Sequence, residues 1–141
     1  MQTQHYLTLS DAEFLLDQAY QYALQQNFNV SIVIVDASGA LLAMKRMDGA
    51  SALTAQICLD KAQCSAMSRR PSKFYEDLIL QGRSSFLSIS NFHGAVEGGE
   101  PILYQGQLVG AIGVSGVQSC QDADIAQYAI QQFLAHVAAT S

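Results

Sequence analysis

Gly98–Gly116, GGEPILYQGQLVGAIGVSG, is the stretch whose reading decides the fold. Pro101–Tyr104 and Gln107–Ser115 are runs rich in Ile, Leu and Val, and Gln105-Gly106 between them suits a two-residue turn. The stretch therefore reads as a β-hairpin. Side chains alternate along a strand, so Leu108, Gly110, Ile112 and Val114 should point one way and Val109, Ala111, Gly113 and Ser115 the other. The second set is small. It leaves space above the strand for either a closely packed helix or a ligand, and the pattern leaves both open.

A second hairpin lies upstream. Val30–Val35 is almost unbroken in its apolar character, as expected of a strand buried on both faces. Asp36-Ala37-Ser38-Gly39 carries turn residues at its first and last positions, and Ala40–Arg46 returns as the partner strand. Four helical segments surround the hairpins. Ser10–Glu13 reads as a capping box with Leu9 and Phe14 as its hydrophobic staple, opening a helix to about Asn27 that buries Ala12, Leu15, Leu16, Ala19 and Ala23. The second runs from about Ser51 to Arg69 before Pro71, with Thr54, Ile57, Cys58, Lys61, Ala62 and Ser65 on its inner stripe. A third covers Ser72 to about Gln81. Ser119–Asp122 resembles a capping box for the last, which reaches about Ala138 with Ile125, Ala129, Phe133 and Val137 inward. The order helix, hairpin, two helices, loop, hairpin, helix calls for an antiparallel sheet covered by helices, an α+β architecture in one domain over residues 1–141.

Composition bounds the function. Only 13% of residues are charged, against roughly 25% in an ordinary soluble domain, while half are hydrophobic. So sparse a charged surface implies burial in a homo-oligomer. A net charge of −5 argues against nucleic acid or an anionic membrane as partner. No apolar run reaches the roughly 20 residues of a membrane span, and the start, MQTQHYLTLS, lacks the pattern of a signal peptide. Cys58, Cys64 and Cys120 have no framework spacing, which fits free thiols in a reducing cytoplasm.

No strong catalytic signature is present: no nucleophile elbow, Walker loop, zincin helix or zinc-spaced cysteine pair. The candidates are single residues. Lys61 falls on the inner face of its helix, where a lysine either runs its stem along the core with its charge in water or serves a pocket or ion pair. His93 lies in the long, glycine-punctuated Arg83–Gly99 segment, as a surface residue or a ligand. Arg46 at a strand end suits either an ion pair with Asp48 or a ligand carboxylate. Glu100 faces either solvent or the cleft between loop and sheet, and Ser115 ends a strand.

The blocks VDASGALLAMKRMDGA (Val35–Ala50), Lys61-Ala62, GGEPI (Gly98–Ile102) and VGAIGVSG followed by Gln121-Asp122 together resemble the GlcG/HbpS-like family, in order, from Leu7 to about Phe133. The resemblance implies a profilin-like α+β fold assembling into dimers or higher oligomers. It also implies kinship with haem-binding proteins and with the C-terminal domain of corrinoid adenosyltransferases. Some haem-binding relatives use a histidine of the first helix, which this chain lacks, so Tyr20 or Tyr22 and the loop residue His93 stand as candidate haem ligands. One branch carries an iron-binding E-x-x-E pair; this chain is read as having no such pair, and no metal site is assigned to it.

These observations lead to a small-molecule or haem-binding module. Its site is expected between the second helix, the Arg83–Gly99 loop and the small-residue face of the hairpin. Arg46, Lys61, His93 and Glu100 are the expected polar contacts, with Tyr20 and Ser115 as further binding residues. The alternatives are a non-catalytic accessory protein whose apolar surface is an interface, or an enzyme of small oxygenated metabolites with Lys61 or His93 as acid or base.

Overall fold

The computed structural model describes all 141 residues. In chain order the elements are α1 (Leu9–Gln25), β1 (Ser31–Asp36), β2 (Leu41–Arg46), α2 (Ala52–Ser68), α3 (Ser72–Leu80), a 3₁₀ turn (Ser84–Ser88), β3 (Gly99–Tyr104), β4 (Gln107–Ser115) and α4 (Ser119–Thr140). The four strands form one antiparallel sheet in the order β2-β1-β4-β3. The α+β architecture is thus as expected from the two hairpins.

Alternation along β1 divides the interior. Ile32 and Ile34 join Leu15, Ala19 and Ala23 of α1 and Ile125, Ala129 and Phe133 of α4 in the larger core. Val33 and Val35 face the other way, onto Cys58, Ala62 and Ala66 of α2. All four β1 aliphatics are fully buried, each contributing about 1.5–3 kcal/mol, so the central strand anchors both layers.

The turn at Gln105-Gly106 has φ of 50° and 78°, the left-handed pair of a type I′ hairpin, which is why glycine occupies the second position. Three local expectations change. The capping box of α1 sits two residues earlier: Thr8 accepts from the Asp11 amide, and the Asp11 carboxylate accepts from the Thr8 amide and hydroxyl. Leu7 rather than Leu9 is the buried residue at this end. At the start of α4 the box is formed by Gln118 and Gln121, which frees Asp122 for another task.

The third change concerns the opening hairpin. The register runs Ile102↔Gly110 and then Leu103↔Leu108, so Val109 is an extra residue on β4, a β-bulge. Val109 therefore packs with Ile112 and Val114 in the larger core instead of sharing a face with Ala111. The space above the small residues is also filled. A methyl group at Gly113 would overlap the Cys58 carbonyl oxygen and stand 2.8 Å from the Ala62 nitrogen. Glycine is there because the backbone of α2 lies directly on β4, and no ligand niche exists between them.

Candidate functional site

The segment after α3 runs along α2 into β3, and glycines let it do so at backbone contact. A Cβ on Gly94 would overlap the Asp60 carbonyl, and one on Gly99 would overlap the Lys61 carbonyl. A Cβ on Gly98 would stand 2.7 Å from the Lys61 Nζ. Gly94 and Gly98 have φ of 76° and 132°, so their conformations as well as their surroundings require glycine. Buried Ser72 ties the far end down: its hydroxyl donates to the Val96 carbonyl at 2.5 Å and accepts from the Gly99 amide at 2.9 Å.

The segment thereby lines an open surface pocket of about 490 Å³ against α2 and α3. Its walls are Ile79, Leu80, Leu87, Phe92 and Val96, with His93, Asp60 and Glu76 as the ionisable groups. His93 is exposed at this cavity. Behind it Tyr75 packs edge-on against Phe74, Phe86 and Phe92, with ring centroids 5.1, 5.4 and 5.0 Å away. This aromatic cluster stiffens a segment that has little regular structure.

Beneath the same segment lies a buried ion pair. Lys61 and Asp122 are 2% and 1% exposed, and Nζ of Lys61 lies 3.1 Å from Oδ2 of Asp122. The ammonium also donates to the Val114 carbonyl at 2.9 Å, and the other Asp122 oxygen accepts from the Val117 amide at 3.2 Å. Burial pushes the Asp122 carboxyl above its ordinary range, with Lys61 and the Val117 amide opposing that rise. Of the alternatives open for Lys61, the structure selects the ion pair. Removing one member of such a pair costs about 3–5 kcal/mol, because the other charge stays buried.

The remaining candidates are dispersed. Cross-strand register puts Arg46, Ser31 and Ser115 in one row across the sheet, and the Ser31 hydroxyl is 2.9 Å from that of Thr54 on α2. Arg46 is exposed at the end of this row and Ser115 is buried. Tyr20 lies on α1, at the opposite face, with the Lys45 ammonium 4.4 Å from its ring centroid. Buried Glu100 accepts from Gln127 of α4 at 3.1 Å, and burial holds its carboxyl above the usual range. The structure thus brings His93 and Lys61 to one segment and does not gather Arg46, Tyr20, Glu100 and Ser115 around them.

Two features escape the sequence reading. Asp122 passes there for a helix cap, although Gln121-Asp122 stands among the blocks that carry the family resemblance. Glu97 and Glu100 do have E-x-x-E spacing, contrary to the reading that the chain has no such pair. No third His, Cys, Asp or Glu joins them in a metal-sized cluster.

Residues 7–131 match the family model described as haem degrading protein HbpS-like. Protein GlcG of Escherichia coli K12 is 36% identical over 115 residues, spanning 82% of this chain and 85% of GlcG. Among solved structures, Klebsiella pneumoniae protein ORFY superposes with a TM-score of 0.88 at 27% identity, covering 94% of each chain. A PduOC–haem complex superposes with a TM-score of 0.80 at 29% identity, covering 90% of this chain and 94% of the other. With a family match over most of its length, the same sheet and helix arrangement, and a relative above 30% identity, the chain belongs to the GlcG/HbpS-like family.

Proposed function

We propose that this protein is a self-assembling cytoplasmic module of a single domain that binds a flat, largely apolar ligand in the cavity beside His93, with haem as the first candidate. The observation that carries this reading is the pairing of an exposed imidazole with apolar walls of Ile79, Leu80, Leu87, Phe92 and Val96 in a space of about 490 Å³. A cavity of that size falls within the range used for cofactors and drug-sized molecules. Imidazole is an established haem-iron ligand, and the apolar walls suit the macrocycle. Asp60 and Glu76 favour propionates turned away from them, towards solvent. The haem-bound PduOC relative supports the same choice.

His93 would hold the iron in this reading, and bound haem would supply redox or ligand-sensing chemistry. Lys61 and Asp122 are committed to each other, so they offer no acid–base pair to a substrate, which favours binding over catalysis. Self-assembly is supported by the exposed Leu80, Leu87 and Val96 beside the cavity and by the low charged fraction. Hemin titration tests the proposal. A saturable Soret change at micromolar hemin is expected, weakened at least tenfold by His93→Ala. No spectral change, or a change indifferent to His93→Ala, overturns it.

A further inference from the structure

The Lys61 ammonium is buried directly below Gly98, and the contacts around it suggest what keeps it there. Its two acceptors are the Val114 carbonyl and the Asp122 carboxylate. Asp122 is the only ionised one. The lid above is the Gly94–Gly99 segment, seated on Asp60 and Lys61 at backbone contact, with the Gly98 carbonyl accepting from the Val114 amide at 3.0 Å. This segment begins one residue after His93. A buried ammonium deprived of its counter-charge must reach water, and a flexible four-carbon stem lets it do so. Buried Gly98 packs against the ammonium without a side chain of its own, so movement of Nζ in that direction has to displace the backbone of the segment.

We propose that Asp122 is a positioning residue for the His93 loop: by holding the Lys61 ammonium beneath Gly98, it keeps Gly94–Gly99 closed on α2 and fixes where His93 stands. Asp122 acts through Lys61 and touches no part of the cavity. The significance of this closure for a ligand rests on the His93 cavity being the binding site, but the closure itself is measurable without any ligand.

The mechanism makes an unusual genetic prediction. Asp122→Asn leaves an unpaired buried lysine, so it should open the loop. Lys61→Met added to Asp122→Asn removes the charge that is driven outward, so it should close the loop again. Were the pair instead a strut that the loop needs in order to stay closed, the double variant would be at least as disturbed as the single one; were the stranded charge to destabilise the whole domain rather than the loop, exchange in α1 would accelerate alongside residues 92–99.

The test is amide hydrogen exchange on the ligand-free protein, comparing peptides over residues 92–99 with peptides over α1. Asp122→Asn is expected to speed exchange at 92–99 at least tenfold while α1 changes little, and the double variant is expected to return within threefold of the parent. Ile34→Ala, a core truncation on the face of the sheet turned to α1 and α4, serves as the control for general destabilisation. Equal acceleration by Ile34→Ala, or failure of Lys61→Met to reverse the effect of Asp122→Asn, overturns the proposal. Should Asp122→Asn not fold, the double variant alone decides. Parent-like exchange there supports release of the stranded charge, and accelerated exchange refutes it. Hemin titration of the same variants then separates the two readings. Loss of loop closure with unchanged hemin affinity leaves the latch intact and removes the His93 cavity as the haem site.

Discussion

Gly113→Ala distinguishes a filled interface from a vacant one, because the two give effects of opposite sign. Gly113 sits in β4 without a left-handed backbone, so alanine there meets no conformational strain. Were the space above it open, the substitution would restrict the unfolded chain and stabilise the protein by about 0.4–1 kcal/mol. The structure instead puts the new methyl against the Cys58 carbonyl oxygen, 2.8 Å from the Ala62 nitrogen and 2.9 Å from its Cβ. Two of these three obstacles are backbone atoms of a helix, which cannot rotate aside as a side-chain terminus can. The whole of α2 must lift, loosening Val33, Val35 and Ala111 beneath it. Overpacking costs about 1–3 kcal/mol when side chains absorb it, and this case belongs at or above the upper limit. An unfolding entropy of about 2.1 cal/mol/K per residue makes 1 kcal/mol worth about 3 °C in a chain of this length. Gly113→Ala is therefore expected to lower Tm by about 10 °C. Thermal melts by circular dichroism, with urea titrations showing an unchanged m-value, provide the measurement. An equal or higher Tm would refute helix-on-strand contact and restore the idea of a niche over the small residues.

The ionisable groups supply two further expectations. Glu100 has its folded-state pKa raised by burial, so its protonated form contributes stability that is complete below the unfolded value and lost as pH rises through the folded one. Glu100→Gln keeps an acceptor for Gln127, and should raise Tm at pH 7 by an amount that shrinks towards zero below about pH 4.5; a stabilisation that grows on acidification would contradict the sign. Burial pushes Cys58 and Cys64 up to about 12 and about 11, whereas Cys120 is exposed. A thiol reagent should therefore label one cysteine in the native protein and three after denaturation, with Cys120→Ser abolishing the native signal.

The fold was legible because its determinants are local. Period-2 and period-3.6 patterns, Asp36–Gly39 and Gln105-Gly106 placed both hairpins and their flanking helices within a few residues of the observed bounds. The errors have equally local causes. Thr8-x-x-Asp11 and Ser10-x-x-Glu13 overlap as capping patterns, and the burial of Leu7 favours the earlier register. The bulge at Val109 inverts part of the β4 pattern, because one extra residue reverses the faces on either side of it. Nothing in LVGAIGVS marks where that residue is inserted, since apolar side chains suit both buried faces.

The site was less legible, and Lys61 shows why. Helical spacing put it on the inner face, but its partner is 61 residues away and belongs to a helix on the other side of the sheet. Only the third dimension joins them. The pairing also explains why glycines crowd the hairpin entry. A lysine brought through the end of the sheet requires the chain above it to pass without side chains, and Gly98 and Gly99 meet that need. The small residues of Gly94–Gly113 thus serve two purposes that look alike in one dimension. Gly113 admits a helix backbone onto a strand, whereas Gly94, Gly98 and Gly99 admit a loop backbone onto that helix. The space over Gly113, which the sequence leaves open to either a helix or a ligand, is taken by the main chain of α2. The open pocket beside His93 lies one layer further out, where the loop meets the aliphatic side chains of α3.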